Sequence, residues 1–350
     1  MDQHPFWAVL AVIAVKSLVV LIILLTAFAY LTWLERRLIS RFQLRVGPNR
    51  VGPFGLLQPL ADGIKLAFKE DFMPSGADKF IYYLAPGLAM VTAFTAFAVI
   101  PFGPPDVELF GVPLFQIANP NAGILFVLAV TSIGIYGIIL GGWSSNSKYP
   151  LLGALRSSAQ LISYELGVGL AIVGVIMLAG TLQLPTIVDQ QSGTFGGFLP
   201  RWNIFIQPLG FLLLVIGATA ETNRPPFDLP ESEQELVAGF HTEYGGMKFA
   251  GFFVAEYVNV ITASGVATTL FLGGWHGPFV DQFPILGPLW FGVKIFAFAA
   301  FFIWIRATLP RVRYDQLMDI GWKILLPLAL LNLAITSAMV LIWPTLGGGS

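Results

Sequence analysis

The stretch from Glu221 to Tyr244 reads ETNRPPFDLPESEQELVAGFHTEY. It sets six carboxylates, Glu221, Asp228, Glu231, Glu233, Glu235 and Glu243, against a single guanidinium, Arg224. Carboxylates this close titrate as a coupled set, which suits them to taking up and releasing protons. Pro225, Pro226 and Pro230 stiffen the first half. Phe227, Leu229, Leu236, Val237 and Phe240 interleave with the acids, the pattern of a packed segment. Plainer roles stay open: a solvated acidic loop, or helix-starting capping boxes at Asp228/Glu231 and Ser232/Glu235.

Two more carboxylates stand inside apolar runs. Glu165, in RSSAQLISYELGVG, lies about 20 Å along its run at roughly 1.5 Å per residue. Glu256 has Tyr257 and Asn259 beside it. An ionisable group at such a depth costs about 2.5–3.5 kcal/mol to insert and so calls for a partner or a task. Ser157, Ser158, Gln160, Ser163 and Tyr164 surround Glu165 with polar groups, so proton exchange is the stronger reading for it. Lys16 and Lys294 are expected to snorkel to the nearer surface or to pair with acids inside the bundle. Glu35, Arg36 and Arg37 mark the end of the first run, and Arg306 the end of the seventh.

The elements that must hold these groups are membrane helices. The chain has 350 residues, 56% hydrophobic and 11% charged, with a mean hydropathy of +0.76; soluble domains carry about 25% charged residues. Runs of about 20 apolar residues cross a bilayer. They predict an all-α polytopic membrane protein, one domain over 1–350, with eight spans at about 6–34, 80–101, 119–141, 152–180, 204–222, 248–272, 285–309 and 322–344. The first run is too long for a signal-peptide core and is read as a retained span. An amphipathic helix over about 54–69 carries Leu56, Leu60, Ile64, Ala67 and Phe68 on one face; it is expected at the membrane interface, as an anchor or as the lip of a lateral opening. With both termini outside, sixteen of the nineteen Lys and Arg residues fall on the inside and only Arg201 on the outside. The closing GlyGlyGlySer is given no structural weight.

There is no cysteine, so neither disulfides nor thiolate-held iron–sulfur clusters belong to this chain. Three scattered histidines, His4, His241 and His276, give no haem pattern, and no glycine-rich nucleotide fingerprint occurs. No catalytic residue, resident cofactor or metal is expected here, and nothing points to nucleic acid. Electrons, if any move, are carried by a partner subunit.

Four blocks are specific enough to compare: ERRLISRFQLRVGPNRVGPFGLLQPLADGIKLAFKED, SKYPLLGALRSSAQLISYE, ETNRPPFDLPESEQELVAGFHTEY and WIRATLPRVRYDQLMDIGWKILLP. In these the chain resembles the H-type membrane subunits of bacterial NADH-quinone oxidoreductase, the counterparts of mitochondrial NADH dehydrogenase subunit 1 in respiratory complex I. The resemblance implies an eight-helix subunit between the membrane and peripheral arms. It would form most of the chamber by which quinone, the substrate, leaves the bilayer. Arg36, Arg45, Asp62 and Lys65 would line the entrance, and Arg224, Phe227 and Asp228 the chamber. Glu221, Glu231, Glu233, Glu235 and Glu243 would couple quinone reduction to proton translocation, with Glu165 leading into the membrane arm and Glu256 adding to the intramembrane charge. Flavin and iron–sulfur clusters would reside in peripheral partner subunits, beside small membrane-arm subunits and lipid. The membrane would be the bacterial inner membrane rather than the mitochondrial one. Rival readings are a subunit of a related energy-converting hydrogenase, a stand-alone ion transporter using Glu165, Glu256 and Lys294, and a structural anchor.

Overall fold

The computed structural model describes residues 5–195, 199–230, 237–280 and 282–342. Glu231, Glu233 and Glu235 lie outside the described residues.

Seven of the eight apolar runs become long helices. They are α1 (Phe6–Phe42), α3 (Lys79–Phe97), α4 (Gly123–Ser144), α5 (Lys148–Ala179), α9 (Gly246–Phe271), α10 (Gly287–Thr308) and α11 (Tyr314–Ile342). The shorter helices are α2 (Gln58–Phe68), α6 (Leu184–Asp189), α7 (Asn203–Ile206) and α8 (Pro208–Glu221). Two small hairpins, β1–β2 (Glu108–Leu109, Val112–Pro113) and β3–β4 (Thr194–Phe195, Leu199–Pro200), decorate the loops. Seven helices among the described residues are long and apolar enough to cross a membrane.

The expected fifth span differs. The run over 204–222 is broken at Gln207, whose non-helical backbone separates α7 from the 14-residue α8. Gln207 is buried, and its Nε2 donates to Thr336 Oγ1 at 2.7 Å, so a side-chain amide supports the break. At about 1.5 Å per residue α8 is roughly 21 Å long, short of the roughly 30 Å hydrocarbon core. Helix α1 differs the other way. It runs past residue 34 to Phe42, because the polar end of the helix finds partners in the loops around it.

The bundle is built on α5, which packs against α4, α8 and α11, while α3 joins α4 to α9 and α9 joins α3 to α10. Small residues set the spacing, as expected where lipid removes the hydrophobic drive between helices. A Cβ on Gly137 would stand 3.0 Å from Ala89 Cβ, and one on Gly217 only 2.2 Å from Val168 Cγ2. Helix α1 is peripheral. Its buried residues, Lys16, Val20, Leu24, Leu31, Glu35 and Ser40, form one narrow stripe. Elsewhere a crevice of about 1060 Å³ separates it from α10, walled by side chains such as Val19, Ile23, Phe291 and Ile295.

Helix α2 buries none of its residues, and Leu60 and Phe68 stand exposed. In α11 the turn Ile320–Leu325 is π-helical, and Tyr164 Oη donates to the Leu317 carbonyl just before it at 3.0 Å.

The Gly217 contact is testable. Val168 is β-branched and has little rotamer freedom to retreat. Gly217→Ala is expected to destabilise the detergent-solubilised chain by about 1–3 kcal/mol through overpacking, read as a lowered thermal midpoint. An unchanged midpoint would show that α5 and α8 part freely.

Candidate functional site

Four elements deliver charge to one buried point. Glu35 comes from α1, Arg224 from the turn after α8, Glu256 and Tyr257 from α9, and Arg306 from the last turn of α10. Arg224 Nη1 donates to both oxygens of Glu35 at 3.1 and 3.0 Å, and Tyr257 Oη donates to Glu35 Oε2 at 2.8 Å. Arg306 Nη1 closes the set on Glu35 Oε1. Arg224 Nε lies 3.1 Å from Glu256 Oε1, and its guanidinium stacks 4.3 Å from the centre of the Tyr257 ring. Two acids and two arginines balance, which a site with Glu35 and Arg224 each only 4% exposed requires. Burial alone would lower the Arg224 pKa; Glu256 and Glu35 more than reverse that, so it stays charged.

Asp228 sits beside this knot. Burial pushes its carboxyl from the ordinary 3.8 up to about 6, against the pull of Arg311 and Arg306. Asp228 Oδ1 and Arg311 Nε and Nη2 are buried without a hydrogen-bond partner among the described residues. Phe227 turns into the core, its ring 5.3 Å from that of Tyr164. Its carbonyl, with that of Ala220, accepts from Gln160 Nε2 at 2.8 Å, and this pins the start of the acidic segment to α5.

On the other side of Glu256 lies a cavity of about 60 Å³. Glu165 and Glu221 line it with Glu256, together with Thr131, Asn259 and His241. Ser132 Oγ donates to Glu165 Oε1. The structure thus brings together Glu165, Glu221 and Glu256, and places Glu256 in both cavity and knot.

The other expected residues separate into two places. Arg36 Nη1 meets Asp62 Oδ2 at 2.6 Å, with Lys65 Nζ 3.7 Å from Asp62 Oδ1, a half-exposed clamp joining α1 to α2. Arg45 is exposed; its Nε donates to its neighbour Gln43 and its backbone N–H to the Ser40 carbonyl. Arg37 and Trp33 both donate to the Phe54 carbonyl and fold the intervening loop back on α1. Glu243 stands apart from the cavity, where its carbonyl accepts from Tyr82 Oη at 2.6 Å. Tyr82 stacks on Tyr244, and Lys248, paired with Asp71, lies 4.6 Å from the Tyr82 ring centre.

Lys16 and Lys294 pair with no acid among the described residues. Lys16 Nζ donates to the carbonyls of Pro113 and Gln116. Lys294 Nζ donates to those of Leu272, Gly274 and His276 at 2.7–2.8 Å. Both ammonium groups are held by loops at the end of the bundle away from Arg306, so Lys294 shares no site with Glu165 or Glu256. Sequence patterns marked Glu35 and Arg306 only as helix ends and gave His241 no role. No local spacing shows that residues 189 positions apart, Glu35 and Arg224, will meet.

The sequence matches the family described as NADH dehydrogenase over residues 15–337. The chain belongs to that family. The first of two H-type subunits of NADH-quinone oxidoreductase in Geobacter metallireducens is 56% identical over 335 residues, which are 95% of this chain and 98% of that protein. The H-type subunit of Thermomicrobium roseum is 53% identical over 96% and 98%, and that of Deinococcus radiodurans 53% identical over 98% and 87%. In this member of the NADH dehydrogenase family no group of three or more metal-ligating side chains occurs among the described residues.

Two outcomes follow from the geometry. Glu35→Ala strands Arg224 and Arg306, and is expected to cost about 3–5 kcal/mol as an unbalanced buried charge, measured by thermal denaturation. A loss under about 1 kcal/mol, the range of an exposed pair, would mean that water reaches the knot. Asp228 gives a pH signature. A carboxyl that binds its proton more tightly when folded stabilises the fold fully below its unfolded pKa, and that contribution fades as pH rises through about 6. Asp228→Asn should therefore match the parent near pH 4 and exceed its thermal midpoint above pH 6. The reverse trend would show that Arg311 and Arg306 outweigh burial.

Proposed function

We propose that this chain is the membrane subunit of a proton-translocating NADH:quinone oxidoreductase, forming most of the quinone access chamber and coupling quinone reduction to proton movement. Its membership of the NADH dehydrogenase family and the names of its relatives support the assignment. The observation that carries the coupling is the double membership of Glu256, which pairs with Arg224 on one side and faces Glu165 and Glu221 on the other. A charge change near Asp228, Arg306 or Arg311 alters the competition for Arg224. That changes how well Glu256 is neutralised, and with it the proton affinity of the two carboxylates sharing its cavity.

Quinone would enter by the crevice beside α1, whose wall reaches Trp33 and Leu34 next to the Arg36–Asp62 clamp. Arg36, Arg45, Asp62 and Lys65 would border the mouth, and Arg224, Phe227 and Asp228 the inner chamber. Glu231, Glu233, Glu235 and Glu243 would continue the acidic path toward the peripheral arm. The short α8 would count as the eighth span, with the arginine-rich end of the bundle inside and both termini outside. Flavin and iron–sulfur clusters would belong to peripheral partner subunits, and the membrane would be the bacterial inner membrane. A stand-alone transporter path through Lys294 is disfavoured, because three carbonyls at the other end of the bundle already hold its ammonium.

In the assembled enzyme, Glu221→Gln is expected to lower NADH:quinone turnover several-fold while the complement of partner proteins stays intact. Full turnover with full proton pumping in that variant would sink the assignment of the carboxylates.

A further inference from the structure

His241 closes a single 3₁₀ turn, Gly239–His241, at the arginine-rich end of the bundle. It is 8% exposed and sits among aromatic rings, with Phe240, Phe249 and Phe253 at 4.9, 5.2 and 6.3 Å between centres. Burial in that seat pushes the imidazole down to about 4, so the ring rests neutral, with one nitrogen a donor and the other an acceptor. The same ring lines the cavity of Glu165, Glu221 and Glu256. Phe240, Phe252, Phe253 and Ile138 of the same wall carry no exchangeable side-chain proton; Thr92, Thr131, Thr222, Asn223 and Asn259 also line it, and among the described wall residues His241 is the only imidazole.

The far side of the carboxylates is different in kind. A second cavity, of about 30 Å³, touches the first at Thr131, Glu221, Thr222 and Asn259. Beyond Thr262 its wall is apolar, with Val127, Val168, Ile172 and Leu214 among the side chains. Side chains of that kind offer no group that takes up or passes on a proton. The Gly217–Val168 approach holds that wall shut. The carboxylates therefore face a polar, water-sized space toward His241 and, beyond Thr262, an apolar wall in the other direction.

We infer that His241 is the proton port of the carboxylate cavity, passing protons between the aqueous side at the arginine-rich end and the Glu165–Glu221–Glu256 group. One ring nitrogen takes a proton from water as the other gives one to the cavity. The ring ends neutral in the opposite tautomer and then resets by turning over; no electrons move. The cavity has room for a few waters at roughly 10–15 Å³ each, enough to bridge the ring to the carboxylates. The inference rests on the proposal that these carboxylates exchange protons during turnover.

The test uses the assembled enzyme in proteoliposomes, with NADH:quinone turnover, protons moved per electron pair and the solvent deuterium isotope effect as readouts. His241→Phe fits the aromatic seat and removes both nitrogens, so a purely structural histidine would tolerate it. Expected are a several-fold loss of turnover, an enlarged isotope effect and unchanged assembly. His241→Ala should regain turnover when imidazole is added to the buffer. Parent-like turnover, pumping and isotope effect in His241→Phe, or no rescue of an impaired His241→Ala, overturn the port. Glu221→Gln is run alongside. Loss there with none in His241→Phe overturns the port alone, whereas no loss in either overturns the reading of the carboxylates as well.

Discussion

A guanidinium buried in a membrane bundle must be neutralised by its neighbours, and the placement of Arg224 meets that constraint with groups drawn from the whole chain. Glu35 reaches it from α1 and Glu256 from α9, while Arg306 of α10 restores the balance that two acids would otherwise upset. An ion in such a place costs several kcal/mol unless its partners are nearly ideal, so the knot fixes the register of three helices at once. It also fixes the turn Thr222–Phe227, from which the acidic segment departs. The loose packing of α1 becomes intelligible on this basis. The helix is tied by Glu35 near one end and by Lys16 to the β1–β2 loop near the other, and an open apolar crevice is left between the ties.

Inside the bundle, packing and polarity divide the work. Glycines on α4 and α8 let neighbouring helices approach closely, as at Gly137–Ala89 and Gly217–Val168. Where side-chain polar groups interrupt that contact, they gather in one place: Thr131 and Ser132 on α4, Glu165 on α5, Glu221 on α8, Glu256 and Asn259 on α9. The result is a water-sized polar space bounded by apolar contacts. Its size matters, because a larger hydrated space would screen the carboxylates from one another and from Arg224.

The helices were legible in the sequence because hydropathy in a bilayer is nearly a direct readout of backbone state. The amphipathic α2 and the apolar runs of α3, α5 and α9 stand within a few residues of where composition puts them. Hydropathy failed where helix and span part company. It ended α1 at residue 34, although the helix continues through charged residues to Phe42, and it ran 204–222 together across the buried Gln207 break. Among the site residues, Glu165 and Glu256 announced themselves by being charged in apolar runs. Glu35 and Arg306 looked like ordinary helix-end charges, since nothing local distinguishes an arginine facing water from one facing a carboxylate on another helix. For Lys294 the sequence offers snorkelling or an acidic partner, and the structure instead gives its ammonium three loop carbonyls.

The same distinction separates the two halves of the acidic segment. Acids there looked equivalent by composition, yet their surroundings differ. Glu221 faces the cavity, Asp228 faces arginines, and Glu243 sits by the Tyr82–Lys248 cluster. A charge moved at Asp228 is felt first by Arg311 and Arg306, and then by Glu256 and Arg224. Transmission therefore needs no mobile helix. It needs only that one guanidinium serve two carboxylates, one in each compartment, so that strengthening either contact weakens the other. Arg224 stands within ion-pair distance of both Glu35 and Glu256, and under the proposed function the coupling between knot and cavity would run through that side chain.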